Sequence, residues 1–256
     1  MKVKYSRYAT DGDVSAIECS LINGNIEIYG CADGNVCVEK TKHTHVKIYV
    51  KGGIVKIRQI RKSLLRKTTV KIFVPAHCVP DISVSLAQGG LKVEHGIYGD
   101  LRIKANNAEA AVTDACFSNA EASCKALALD CKDVTVKQLF AVNADEGYAI
   151  VERCLCTKLD LCFKHGDAGV TGLKCRDSSF TSESGSVNVN LVGTKNDYVL
   201  NLLSKNGTCN CENTETGDYN CKVYTDSGKI VIDFTDSDAL APVAEQPDEI
   251  CAALGA

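Results

Sequence analysis

The chain has 256 residues, 45% of them apolar, with 29 Lys and Arg against 32 Asp and Glu and a formal net charge of −3. That is enough apolar sequence for a sizeable core, while no apolar run approaches the roughly 18 residues of a membrane-spanning helix. No hydrophobic leader follows the opening MKVKYSRYATDGD, so the expected location is the cytoplasm.

In chain order, the first eighty residues read as short strands. VSAIECSL, GNIEIYG, NVCVE, HVKIYVK, GIVKIRQI and TTVKIFV alternate or are rich in β-branched residues. Asn23–Gly24 and Asp33–Gly34 are turn signals, and Lys51–Gly53 predicts a hairpin between KIYV and IVKIRQI. RKSLLRK is a polar loop, and the two prolines of VPAHCVP close this leading region.

From Asp81 to Phe234 a unit of about nineteen residues recurs. Turn residues fall at Gly89, Ala108, Leu127, Gly147, Gly166, Gly185, Gly207 and Gly228, with spacings of 19, 19, 20, 19, 19, 22 and 21. Two places on, the residues read Leu91, Ala110, Leu129, Ala149, Ala168, Val187, Cys209, Ile230. Four places on they read Val93, Val112, Cys131, Val151, Val170, Val189, Cys211, Ile232. Apolar columns separated by mixed residues predict strands with one buried face, stacked coil on coil. A second strand per coil carries Leu101 and Ile103, Ala120 and Ala122, Leu139 and Ala141, Leu159 and Leu161, Phe180, Leu200 and Leu202, and Cys221 and Val223. Glycine at the turn fits a positive φ, and no proline interrupts 81–234. The longer spacings near the end place extra residues in loops at Gly193–Asp197 and Glu212–Asp218.

The expected fold is all-β: a parallel β-solenoid, β-helix-like, of ~19-residue coils, right-handed by the crossover rule. Residues 1–80 form a strand-rich leading region that caps it, 81–234 the repeat solenoid, and 235–256 a tail, either mobile or a flap over the last coil, which a second molecule would otherwise cover. The fifteen cysteines are expected to be reduced, with Cys131, Cys209 and Cys211 acting as small buried hydrophobes.

The run KTTVKIFVPAHCVPDISVSLAQGGLKVEHGIYGDLRIKANNAEAAV, a strand ending in VP followed by repeated V-x-V units, resembles the bacterial putative-adhesin family of unknown function. The resemblance spans roughly 10–235. It implies a β-solenoid with no catalytic residues to transfer, and relatives that are often exported or membrane-attached.

Chemistry-bearing patterns are sparse. His43-Thr44-His45 supplies two imidazoles on one strand face, too few for a metal site. Cys154-Leu155-Cys156 and Cys209-Asn210-Cys211 lack a second pair at zinc spacing. Asp145, Glu146, His165, Asp167 and Glu183 gather at successive turns, as polar corners do. No nucleotide or nucleophile motif occurs, and no cofactor is expected. Charge is uneven: residues 1–80 carry 14 Lys/Arg and 6 Asp/Glu, and 40–80 carries eleven bases and no acid. Lys56, Arg58, Arg61, Lys62, Arg66 and Lys67, with Lys71 beyond, form a candidate anion-binding stretch, 56–71. No aromatic interleaving points to single-stranded nucleic acid, and no specific membrane signal is seen. The sequence therefore reads as a non-enzymatic scaffold or interaction protein, with a protein partner, self-association or an anionic ligand as its contact. The alternatives are a carbohydrate-active enzyme or carbohydrate binder on a solenoid face, and an anion-binding module.

Overall fold

The computed structural model describes residues 5–10, 13–32, 34–42, 44–61 and 68–235. The expected tail lies outside the described residues. Long strands wind through successive coils: β8 (Asp81–Ile97), β9 (Leu101–Phe117), β10 (Ala120–Glu152) and β11 (Leu155–Ser184). Each pairs in parallel with the next, nineteen or twenty residues on, so Leu91 stands beside Ala110 and Val93 beside Val112. Fourteen members of the two predicted columns are buried. A fully buried Val or Ile side chain is worth about 1.5–3 kcal/mol over an exposed one, so the columns contribute substantially to stability.

A coil has three arms rather than the two read from the sequence. The first arm includes Leu101–Ala105 and the second Asn107–Thr113. A short third arm includes Ala115–Phe117. The corner between second and third arms is a column of left-handed residues: His95 (φ 48°), Asp114 (50°), Asp133 (55°), Arg153 (49°) and then Gly172 (67°). Asp tolerates this region through local hydrogen bonding. His95 Nδ1 lies 2.8 Å from Asp114, and Arg153 makes two 2.5 Å hydrogen bonds to the Asp133 carboxylate, so each pair ties one corner to the next. The third arm carries Ala115 and Phe117, Val134 and Val136, Cys154 and Cys156, and Leu173 and Cys175, all buried. These apolar doublets were its signal in the sequence.

In one coil the register differs from the sequence reading. Leu139 and Ala141 are half-buried, while Phe140, Val142 and Ala144 fill the core. The Leu127-to-Gly147 coil is one residue longer, and the ladder to β11 shifts between Val136 and Leu139. One extra residue exchanges inward and outward faces.

The glycines of the turn column serve close backbone approach more than positive φ. Gly166 and Gly228 carry no positive φ. A Cβ on Gly185 would sit 2.0 Å from the Gly166 carbonyl oxygen, and one on Gly228 1.9 Å from that of Gly185. Ala108 and Leu127 occupy the same column, so the pressure toward glycine is strongest where coils come closest.

Stack order departs from chain order at both ends. In the leading region lie β1 (Tyr5–Ala9), β2 (Ala16–Leu21), β3 (Gly24–Cys31), β4 (Cys37–Thr41), β5 (Val46–Lys51), β6 (Ile54–Gln59) and β7 (Thr68–Pro75). β2 sits between β6 and β8, and β3 between β7 and β8, all in parallel, so the ladders cross residue 80 without a break. Buried Gln59 holds this corner together. Its side-chain oxygen accepts from the Ile22 and Asn23 amides at 2.8 and 3.0 Å, and its amide nitrogen donates to Thr68 Oγ1 at 3.1 Å. Beyond it the ladders turn antiparallel, β5 on β6, β4 on β7 and β1 on β4. The Lys51–Ile54 hairpin forms as predicted, with φ of 58° at Gly52 and 74° at Gly53.

At the trailing end lie β12 (Val187–Val192), β13 (Tyr198–Ser204), β14 (Thr208–Cys209), β15 (Tyr219–Ser227) and β16 (Lys229–Thr235). β15 inserts between β11 and β13, and β16 between β12 and β14. The neighbour of Val189 is therefore Ile232, not Cys211. The expected burial of Cys209 and Cys211 fails for this reason: Cys209 is exposed and Cys211 half-buried at the last layer of the described stack, where no described coil covers them.

The two expected loops are present, a 3-10 turn at Lys195–Asp197 and an irregular run around 210–218. The second run closes the open edges. The Leu200 amide donates to Thr214 Oγ1 at 2.8 Å, the Leu202 amide to Asn213 Oδ1 at 2.7 Å, and the Thr214 amide to the Leu200 carbonyl. Asn210 completes the cap on β16, accepting from the Ile232 amide at 2.8 Å and donating to the Ile232 carbonyl at 3.1 Å. Side-chain amides thus stand where another strand would pair.

Removing both caps with Asn213→Ala and Thr214→Ala should lower stability by about 3 kcal/mol, about 1 kcal/mol for each of the three side-chain hydrogen bonds lost, the Thr214 hydroxyl also donating to the Tyr198 carbonyl, and open β13 to pairing. Analytical ultracentrifugation should then show concentration-dependent association. A double variant as stable and as monodisperse as the parent would refute the edge-capping role.

The thiols sort by burial. Burial raises the Cys131 thiol, with Asp130 adding to it, and raises Cys221 to about 11. Native labelling with a thiol reagent at pH 8 should modify Cys162 and Cys209, both exposed, within minutes. Cys131 and Cys221 should react only on unfolding. Prompt labelling of Cys131 would contradict the core assignment.

Candidate functional site

Strand alternation sends every second residue of the first arm outward. On β6 these are Lys56 and Arg58, and on β5 Lys47, Tyr49 and Lys51. Lys47 lies directly across from Arg58, and Tyr49 across from Lys56. The register then carries each row along the stack. One row runs Lys47, Arg58, Ser20, Ser85, Lys104, Ser123. With neighbouring strands about 4.8 Å apart, it extends for about 24 Å on a flat outer face. The other runs Tyr49, Lys56, Glu18, Ser83, Arg102, Glu121.

The two rows differ electrostatically. In the second, Lys56 is held by Glu18 at 2.8 Å and Arg102 by Asp100 at 2.6 Å. The hydrogen bond to Glu18 also raises the Lys56 pKa. In the first, Lys47, Arg58 and Lys104 are exposed and have no carboxylate partner among the described residues. Like charges placed directly opposite are unfavourable in a sheet, so Lys47 facing Arg58 is a local cost that an anion would relieve. Between these cations and Lys104 the row supplies only the hydroxyls of Ser20 and Ser85. A groove of about 400 Å³ continues the face past Lys104 and Ser123 to Asn143 and Cys162.

The linear basic stretch is therefore divided. Lys56 and Arg58 lie on the first arm, and Lys71 on β7 in the second, 3.1 Å from Glu27. Arg61 is exposed just after β6. Lys62, Arg66, Lys67 and His43 lie outside the described residues. Lys47 and Lys104 were missed because cross-strand register, not sequence proximity, brings them beside Arg58; Lys104 is 46 positions away from it. His45 is exposed, its carbonyl accepting from the Ile60 amide.

Three of the polar corner residues are engaged with their neighbours. Asp145 pairs with Lys164 at 2.5 Å, His165 lies 2.8 Å from Ser184, and Asp167 accepts from the Ser186 amide at 2.6 Å. The Lys164 ammonium holds the Asp145 carboxyl below its usual range. Among the described residues no three His, Cys, Asp or Glu side chains form a group able to hold a metal ion. The second arm's outer face carries Tyr148 and Ile150, both exposed, beside a groove of about 340 Å³ over Gly90, Ala111 and Ala128.

The fold has known counterparts. A putative adhesin from Parabacteroides distasonis is similar at 16% identity over 92% of this chain and 96% of that one, with a TM-score of 0.53, which shows the shared fold. A putative adhesin from Bacteroides fragilis matches at 12% identity over 92% of this chain and 97% of that one, with a TM-score of 0.44. A putative lipid binding protein from Parabacteroides distasonis matches at 11% identity over 91% and 95%, with a TM-score of 0.29. No curated protein matches the chain. The Toastrack DUF4097 model matches residues 61–239, most of the chain and nearly all of its coils, and the chain belongs to that family.

Proposed function

We propose that the protein is a non-catalytic interaction scaffold whose leading outer face binds an anionic partner. The observation that carries this reading is the Lys47–Arg58 cross-strand pair, two exposed cations with no ion-pair partner among the described residues, continued by Ser20 and Ser85 to Lys104. Cations with hydroxyls between them suit phosphate or sulfate oxygens, which accept from both. The solenoid's part is to hold the row in place: each backbone position is fixed by a strand whose opposite face is core, so only the long Lys and Arg side chains lose freedom on binding. A scaffold role agrees with Asp145 engaged by Lys164 and Asp167 by the Ser186 amide.

Inorganic polyphosphate is the simplest probe. The full chain should bind it with an affinity that falls about tenfold or more between 50 and 200 mM salt, as expected for several phosphate contacts. Lys47→Glu with Arg58→Glu should abolish that binding, whereas Lys222→Glu on β15, at the far end of the stack, should leave it within about twofold, being beyond screening range. Salt-independent binding, or equal loss from both variants, would refute the assignment.

A further inference from the structure

The cations of the leading end are interleaved with uncovered apolar side chains. Tyr49, Val50 and Ile60 are 48%, 50% and 49% exposed. Around them stand Lys47, Lys51, Arg58 and Arg61, all exposed and without an ion-pair partner among the described residues. The cause is topological. β5 is the last strand of the first-arm ladder and pairs on one side only, with β6. Val46 begins β5 buried, Ile48 is half-buried, and Val50 is half in solvent because no described coil lies over it. Tyr49, on the opposite side of the strand, faces outward beside Lys56. The rim thus offers apolar groups at its edge and cations just behind them.

We infer that this rim docks on an anionic lipid bilayer, with Tyr49, Val50 and Ile60 entering the interfacial layer and Lys47, Lys51, Arg58 and Arg61 meeting lipid phosphates. The inference rests on the reading of the leading face as anion-binding and names the source of the anions. A soluble polyanion would use the cations and serines but gain nothing from Val50 or Ile60. A nucleic-acid strand would need several aromatic platforms for its bases, and Tyr49 is a single ring. An apolar edge backed by Lys and Arg is the composition that a bilayer interface rewards twice, by burial of the apolar groups and by attraction to its surface charge. The amphipathic stems of Lys and Arg let both act at one depth.

Co-sedimentation of the full chain with vesicles separates the possibilities. Vesicles of phosphatidylcholine with about one-third phosphatidylglycerol should bind at least tenfold more tightly than pure phosphatidylcholine, as expected from four cations near a charged surface. Tyr49→Ser with Ile60→Ser should weaken binding to the anionic vesicles fivefold or more and leave polyphosphate binding unchanged. The comparison of the two vesicle compositions uses the unaltered protein, so it does not depend on the variants folding. If the apolar variant binds vesicles as the parent does, or if the parent binds polyphosphate but not anionic vesicles, bilayer docking is wrong while the anion-binding reading stands. If neither probe binds, both fall.

Discussion

The coil-to-coil hydrogen-bond ladder is the constraint on which the rest of this molecule depends. Parallel strands must approach to about 4.8 Å along their whole length, corners included. At the turn column that spacing leaves no room for a side chain at several layers, so Gly24, Gly89, Gly147, Gly166, Gly185 and Gly228 stack with Cβ positions within 2.5 Å of the next coil's carbonyl oxygen. Once the spacing is set, inward residues fall into columns, and a column is stable only if apolar at each covered layer. The same spacing sets the outer face, where residues far apart in sequence become neighbours at strand distance. Core and candidate binding row are two readings of one register.

Much of the core was legible because the nineteen-residue period survives in the residues themselves. What could not be read was anything that a period alone does not determine. Phe140 and Val142 replace Leu139 and Ala141 inside because a single extra residue exchanges the faces of a strand, and both pairs are apolar. Cys209 and Cys211 keep the V-x-V spacing of the column yet lie on its last layer, because β15 and β16 are threaded inside β13 and β14. Sequence order could not reveal this: a coil inserted out of turn has the same local pattern as one added at the end. The left-handed corners were hidden for a different reason, since Asp, His, Arg and Gly share no hydropathy and only their spacing links them.

The candidate site shows the same division. Arg58 stood out in a linear scan for charge, but its partners Lys47 and Lys104 belong to other strands. Lys56, equally prominent in sequence, is engaged by Glu18 on the neighbouring strand. Local density of basic residues was thus a guide to the region and not to the residues. The two ends of the stack also differ in kind. The trailing edge is closed by Asn210, Asn213 and Thr214, whose side chains mimic a strand. The leading edge turns antiparallel and ends in β5, where apolar and basic groups share a rim. Among the described residues the two ends thus offer different chemistry, one hydrogen-bonded to its own loop and one carrying exposed apolar and basic groups.

The central claim, that close backbone approach at the turn column fixes the stack, is tested most directly by comparing two glycine substitutions by chemical denaturation. Gly228 carries no positive φ, yet a Cβ there would lie 1.9 Å from the Gly185 carbonyl oxygen, whereas Gly169 faces open space with nothing within 4 Å. Gly228→Ala is expected to lower unfolding free energy by about 2–3 kcal/mol, from the steric clash alone. Gly169→Ala should be neutral or stabilise by up to about 1 kcal/mol. Equal effects at the two positions, or a tolerated Gly228→Ala, would contradict the account.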